Sequence, residues 1–234
     1  MEKPFDIDFE NGRRAKAVRV FQEADLPTAI QELGLTSPVP TLVLIGGAGG
    51  ITKADMQRLR PLFVDVLARL AADRELCIID GGTDAGIMQL MGRARRETNG
   101  SFSLIGVAAQ GTIELPQASS TDVEKARLEP NHSHFIVVPG DNWGDESVWI
   151  SRTADLLSKG MPSCSVLING GENARKDVTN STKVGRPVLV ISGTGRLADE
   201  MASASEKSLL IKITTITRDS KRLKSDLAAL LEEG

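Results

Sequence analysis

Apolar and polar positions along this chain switch between two periods. Short, nearly continuous Val/Ile/Leu runs end in glycine, and each gives way to a polar stretch carrying apolar residues at helical spacing. "TLVLIGGAGG" (41–50) reads as a buried strand and a glycine turn. Thr52 and Asp55 have capping-box spacing, and Met56, Leu59, Phe63, Val66, Leu67 and Leu70 recur at helical intervals. Pro61 marks either a kink in that helix or its true start. "ELCIIDGGTDAG" (75–86) repeats the scheme, with Ile87, Leu90, Met91 and Ala94 on one face. "SLIGVAA" (103–109) predicts a third strand, "HFIVVPG" (134–140) a fourth, "SCSVLINGGE" (163–172) a fifth and "RPVLVISGTGR" (186–196) a sixth. Trp149, Ile150, Thr153, Leu156 and Leu157 form the inward stripe of a helix after the fourth strand. "SLLIKITTI" (208–216) and a helix carrying Leu223, Leu227, Leu230 and Leu231 close the chain, and "AKAVRVF" (15–21) predicts an additional edge strand. Residues 111–131 show no period and read as a long loop.

Apolar strands alternating with helices are the pattern of a mostly parallel sheet covered on both faces. The expected fold is therefore α/β, a three-layer sandwich with a mostly parallel central sheet and helices on both faces, in one domain spanning 1–234. In a parallel sheet all strand C-termini share one edge, so "GGAGG", "GGTDAG", "NGGE" and "SGTGR" should crowd together there. Glycine allows close approach to the main chain, and the helix N-termini beyond the turns suit phosphate. This singles out the turn residues Gly46, Gly47, Gly49, Gly50, Gly81, Gly82, Gly86, Gly170, Gly171, Gly193, Thr194 and Gly195 as candidate ligand-binding residues. Neither a G-x-x-x-x-G-K-[ST] run nor G-x-G-x-x-G is present, which argues against a P-loop NTPase and an ordinary dehydrogenase.

Composition narrows the classes. The chain of 234 residues is 41% hydrophobic and 25% charged, with a formal net charge of −3 and dispersed basic residues, which disfavours nucleic acid as a partner. No apolar run approaches the roughly 20 residues that span a bilayer, and the N-terminus lacks a signal-peptide core, so the expectation is a cytoplasmic protein without a membrane partner. Cys77 and Cys164 sit in strand-like runs and read as buried free thiols. His132 and His134, the only histidines, have the spacing of a metal pair but lack a third strong ligand. They and Asn131 are expected to bond backbone groups and fix the long loop over the pocket; a histidine general base is the alternative, and no metal or cofactor is expected.

"GGTDAGIMQLMGRA", "LIGVAAQGTI", "LEPNHSHFIVVPG", "LINGGENARKDV" and "ISGTGRLADEMA" occur in an order that resembles the N-terminal cytosolic region of TRPM cation channels, within the superfamily uniting LOG, Smf/DprA and TRPM proteins (SLOG). The resemblance covers roughly 41–204 and is that of a free-standing prokaryotic version of the domain. It implies a Rossmann-like fold and a nucleotide-derived small-molecule ligand, which in some TRPM channels is ADP-ribose. Carried over, it places the Thr83–Asp84 turn by phosphates or ribose, and Trp143 where the channels carry a tyrosine able to stack on adenine. Arg152 and Arg196 match family arginines suited to phosphate. Core packing for Trp143 and a surface charge for Arg152 are the plainer readings.

LOG enzymes cleave the N-glycosidic bond of nucleoside monophosphates and carry "PGGxGTxxE". The equivalent "VPGDNWGDES" keeps the Pro–Gly and a carboxylate, Glu146, but loses the second glycine and the threonine. The expected function is accordingly binding or sensing of an NAD-derived nucleotide such as ADP-ribose. The alternative is a hydrolase with Glu146 as its catalytic carboxylate, and a DprA-like DNA-binding module is disfavoured by charge. A homo-oligomer remains open.

Overall fold

The apolar runs become strands buried on both sides. In chain order the elements are β1 (Phe5–Asp8), β2 (Arg14–Arg19), α1 (Leu26–Glu32), β3 (Thr41–Gly46), α2 (Lys53–Pro61), α3 (Ala68–Asp73), β4 (Cys77–Asp80), α4 (Gly86–Glu97), β5 (Leu104–Ala109), β6 (Ile113–Glu114), β7 (Ala126–Arg127), β8 (His134–Val138), α5 (Ser147–Ser158), β9 (Ser163–Ile168), α6 (Glu172–Lys183), β10 (Val188–Ser192), α7 (Arg196–Ser203), β11 (Ile211–Thr215) and α8 (Ser220–Leu230). The computed structural model describes residues 1–116, 125–204, 208–216 and 220–232.

Nine strands form one sheet in the order β1-β2-β8-β5-β4-β3-β9-β10-β11, and every neighbouring pair is parallel except β1–β2. Alternate residues of β3 show why both faces need cover. Leu42 and Leu44 pack with Leu59, Phe63, Met91 and Leu227 on one face, while Val43 and Ile45 pack with Ile30, Ile150, Val178 and Leu197 on the other. Helices α2, α3, α4 and α8 thus cover the first face and α1, α5, α6 and α7 the second. A smaller cluster around Ile7, Phe9, Ala17 and Phe135 closes the β1 end. The expected α/β sandwich is the fold observed.

Three expectations change. β2 lies inside the sheet, because "FDID" pairs with it as the antiparallel edge strand β1 and buries Ile7. The stretch 111–131 is not all loop: β6 and β7 pair in parallel, and 117–124 lie outside the described residues. Pro61 does not mark the helix's start but is the last residue of α2. The helix begins at Lys53 behind the Thr52–Asp55 capping box, and the backbone widens into a π-helical stretch over Leu62–Leu67. A proline in a helix lacks its amide hydrogen and crowds the carbonyl four residues back, and a widened turn relieves that crowding.

Candidate functional site

The chain runs β3-β4-β5-β8 toward one edge and then returns to place β9 on the other side of β3. That reversal opens a crevice beyond the C-terminal ends of β3 and β9, where parallel sheets hold ligands. A cavity of about 590 Å³ occupies it, within the roughly 300–1,000 Å³ typical of small-molecule sites. Its walls include Gly46, Gly47, Gly49 and Gly50 after β3, Gly81 and Thr83 after β4, Gly171 at the start of α6, and Trp143, Glu146, Asp177 and Arg196.

The glycine end is built by close approach. A Cβ on Gly46 would lie 2.3 Å from the Ile168 carbonyl oxygen. Gly86 has φ +52° and a Cβ there would come within 1.9 Å of the Gly47 carbonyl oxygen, so the turn after β3 packs directly on the first turn of α4. Ile87 donates its amide to that same carbonyl at 3.2 Å. Arg196 spans the cleft: its Nη1 donates to the Gly49 carbonyl at 3.0 Å, and its guanidinium lies against Gly47, Gly50 and Gly171. Arg196 also has φ +50°, a left-handed backbone uncommon for a side-chain-bearing residue.

The fourth turn differs from its expectation. The amides of Gly193 and Gly195 donate to the two oxygens of Asp199 at 2.5 and 3.1 Å, so a carboxylate of α7 itself fills the anion position. The Thr194 hydroxyl accepts from the Asn169 amide and donates to the Ile191 carbonyl. Gly193, Thr194 and Gly195 thus have partners within the fold and lie outside the cavity lining, and only Arg196 of "SGTGR" reaches it. Gly82 faces Gly106 and Phe135 instead, Gly170 faces Ala174 and Leu167, and Asp84 receives the Gln89 amide at 2.7 Å and lines a separate hollow beside Phe9 and Arg127. Arg152 points away from the cavity and pairs with Glu23 at 3.2 Å, both side chains more than half exposed. It occupies the outer face of α5, outside the cavity lining, whereas Ile150 of the same helix lines the cavity.

At the other end Trp143 is 42% exposed, so it is a rim residue and not a core plug. Glu146 starts α5 and accepts the Gly144 amide at 2.9 Å. Burial raises its pKa, with Asp145 adding to the effect and two backbone hydrogen bonds and Lys176 opposing it. Asp177 of α6 was not singled out in the sequence. Burial pushes its carboxyl up to about 7, helped by the charge of Glu146 and opposed by the Ser147 hydroxyl and Lys176, and its Oδ1 is shut from solvent without a hydrogen-bond partner.

His132 is fully buried, and its partners are carboxylates rather than the expected backbone groups. Nε2 lies 2.8 Å from Asp80 Oδ1 and Nδ1 2.9 Å from Glu129 Oε2. Burial opposes its charge, yet the two acids outweigh burial and raise its pKa to about 9. Asn131 donates its amide to Glu129 at 2.8 Å, and Gly82 donates to Asp80 at 2.7 Å. The cluster thus pins 129–132 beneath the turn that carries Gly81 and Thr83. Gly92 has to be glycine for this: a Cβ there would stand 1.9 Å from Glu129 Oε2. His134 behaves oppositely, with burial and the charges of Lys16 and Arg95 lowering its pKa to about 4 against a hydrogen bond to the Leu33 backbone. Both His132 nitrogens are occupied, and among the described residues no group of three or more His, Cys, Asp or Glu is placed to hold a metal ion. Cys77 and Cys164 are buried free thiols whose pKa burial raises to about 12.

Comparison with known proteins agrees with this architecture. The family described as "SLOG in TRPM, prokaryote" matches residues 39–229. The chain is 29% identical over 232 residues to the transient receptor potential cation channel subfamily M member 2 of Mus musculus, covering 81% of this chain and 15% of the channel. It is 27% identical over 241 residues to the member-like 2 channel of Nematostella vectensis, covering 85% of this chain and 16% of the channel. It thus corresponds to a small part of those proteins. In fold it is similar to the molybdenum cofactor carrier protein of Chlamydomonas reinhardtii, with a TM-score of 0.55 at 15% identity over 83% of this chain and 99% of that one. Among the described residues no helix is long and apolar enough to cross a membrane. With its sheet reversal, its glycine turns and a family match across most of its length, this chain belongs to the prokaryotic SLOG-in-TRPM family.

Proposed function

We propose that the crevice between β3 and β9 binds a nucleotide-derived small molecule, an NAD-derived nucleotide such as ADP-ribose being the leading candidate, and that the protein acts in the cytoplasm as a binder or sensor. The observation that carries this reading is the composition of one cavity. Backbone-exposing turns at Gly46–Gly50 and Gly171 lie under a guanidinium at one end, and a half-exposed indole stands at the rim. Phosphate suits the first and a purine face the second. Calorimetry with ADP-ribose, NAD, AMP and cyclic nucleotides should reveal at least one binder below millimolar. If every probe neither binds nor raises the melting temperature, the nucleotide reading is wrong.

One observation favours a second reading, hydrolysis of an N-glycosidic bond. Glu146 lies in the same cavity with a raised pKa, as an acid–base carboxyl requires. Incubation with AMP and ADP-ribose separates the two. A binder releases no adenine or ribose phosphate above background, whereas multiple turnovers abolished by Glu146→Gln would make the protein a hydrolase.

A further inference from the structure

Two residues of the turn after β4, Gly81 and Thr83, line the crevice, while Gly82 between them packs the other way. Gly82 has φ +70°, and a Cβ there would lie 2.8 Å from the Gly106 Cα and 3.0 Å from the Phe135 ring. Both of its polar groups are engaged: the amide donates to Asp80 Oδ1 at 2.7 Å, and the carbonyl accepts from the Glu129 amide at 2.9 Å. Thr83 forms an antiparallel bridge with Leu128, and Asp84 donates its amide to the Arg127 carbonyl at 2.8 Å. Segment 80–84 is thus laced to segment 127–129, and Ala126, just before the latter, lines the crevice as well. The shape of this wall is set from behind.

His132 joins the two segments there. Its side chain is fully buried, so no ligand touches it. Its Nε2 lies 2.8 Å from the same Asp80 oxygen that receives the Gly82 amide, and its Nδ1 lies 2.9 Å from Glu129 Oε2, which also receives the Asn131 amide. The imidazole stacks on Phe135, the ring that Gly82 packs against, with centroids 5.4 Å apart. Asp80 Oδ2 is buried without a hydrogen-bond partner, so among the described residues Asp80 is held through Oδ1. An imidazole serves two carboxylates at once by carrying a proton on each nitrogen; the neutral ring donates from one and turns a lone pair on the other acid. Loss of that proton loosens either Asp80, which holds the Gly82 amide, or Glu129, whose own amide holds the Gly82 carbonyl.

We infer that His132 is a positioning residue of the ligand site: as an imidazolium it ties Asp80 to Glu129 and so fixes Gly81 and Thr83 in the shape the ligand meets. This rests on the nucleotide reading above and adds to it a proton on which affinity depends. A wall fixed in advance needs no ordering when the ligand arrives, which removes one cost of binding. The charged groups facing the imidazole are Asp80 at the end of β4 and Glu129 before β8; Arg95 of α4 faces Glu129, and β8 contributes the uncharged Phe135 ring. Burial opposes the charge, and the two acids outweigh it and place the pKa at about 9. The protonated form is the one that positions the wall. Affinity should therefore hold from pH 6 to 8, weaken about fourfold by pH 9.5 and, by reciprocal linkage, draw in protons on binding near pH 9.

The test uses ADP-ribose and AMP as probes, in calorimetry from pH 6 to 9.5, beside long-range proton–nitrogen correlation spectra of the histidine rings. His134 is the only other histidine and has its pKa lowered to about 4. At pH 7 the spectrum should therefore hold one ring protonated at both nitrogens, His132, and one neutral ring. Asp80→Asn keeps an oxygen for the Gly82 amide but removes one of the charges that hold the proton. Its fall in affinity should begin lower by about one pH unit or more, with affinity at pH 6 within a few-fold of the unsubstituted protein. Packing alone would not move that profile. Two neutral rings at pH 7, an affinity that is flat to pH 9.5, or an Asp80→Asn profile that stays in place overturns the positioning role, while the bound probe leaves the nucleotide reading standing. Failure of every probe at every pH overturns both. The spectrum and the pH profile need no substitution, so an Asp80→Asn chain that does not fold leaves them to decide.

Discussion

Single residues here separate binding from folding. Trp143 is half exposed, so Trp143→Ala should change stability by no more than about 0.5 kcal/mol, while weakening nucleotide binding by the roughly 1–3 kcal/mol of a lost base stack. Thermal melts beside calorimetry check this; a melting temperature that collapses while affinity survives would assign the indole to packing. His132 is the converse, a residue remote from ligand whose charge holds two buried acids. Its folded pKa of about 9 lies above the ordinary 6.5, so its contribution is full below about pH 6.5 and is lost as pH rises through 9. His134, lowered to about 4, works the other way and withdraws stability as pH falls from 6.5 toward 4. Asp177, raised to about 7, adds stability that fades as pH rises toward 7, so the comparison is cleanest as a difference between variants. His132→Gln should cost about 3–5 kcal/mol by stranding Asp80 and Glu129, and its melts should lose the decline expected of the unsubstituted protein between pH 6.5 and 9. An unchanged decline would mean that His132 is neutral in the fold.

At the scale of elements, the sequence speaks most clearly where a period is long enough to bury a face. β3, β5, β8, β9 and β10 read directly from their Val/Ile/Leu runs, and α4 from its apolar stripe. "FDID" gave no such signal, because an edge strand of four residues buries only Ile7 fully and its acids look like solvent. α1 likewise hides in seven residues. The site was partly legible for a related reason. Glycine turns announce themselves, but whether a turn is open depends on a carboxylate such as Asp199 arriving from six residues away, and a resemblance that marks Arg152 does not say which face of α5 it occupies. Asp80, Glu129 and Asp177 are lone acids in sequence; the first two meet His132 only when the fold brings the end of β4 beside the segment before β8, and Asp177 meets Ser147 only when α6 packs on α5. The contact of α4 with the turn after β3 gives a further prediction. Gly86→Ala adds a Cβ that meets the Gly47 carbonyl oxygen at a left-handed φ, so it should destabilise by about 1–3 kcal/mol and also weaken nucleotide binding, whereas Gly12→Ala, equally left-handed but in open space, should spare binding. Equal effects on binding would deny the turn any part in the ligand site.

Across the whole molecule the cavity sits at the sheet's topological centre, between the half that continues through β4, β5 and β8 and the half that continues through β9, β10 and β11. Its walls come from both halves: Gly46–Gly50, Gly81 and Thr83 on one side, Gly171, Asp177 and Arg196 on the other. A ligand there joins two bodies of sheet that otherwise meet through β3 and β9, so it should protect both from opening rather than one loop. Mass action sets the size. Ligand at a hundredfold its Kd adds about 2.7 kcal/mol, and a chain of this length gains roughly 2–4 °C per kcal/mol, so ADP-ribose, if it is the ligand, should raise the melting temperature by about 5–11 °C. Hydrogen exchange should slow in 46–50 and in 170–173 together. Arg196→Ala removes a charge-assisted contact worth roughly 1.5–3 kcal/mol, a loss of about ten- to a hundredfold in affinity, so at the same ligand concentration about half or more of that shift should vanish and binding should respond less to salt. Arg196→Lys should recover part of it, because lysine restores the charge without the planar fork that now spans Gly47, Gly50 and Gly171. Protection confined to one of the two turns, or a full thermal shift in Arg196→Ala, would place the ligand somewhere other than this crevice.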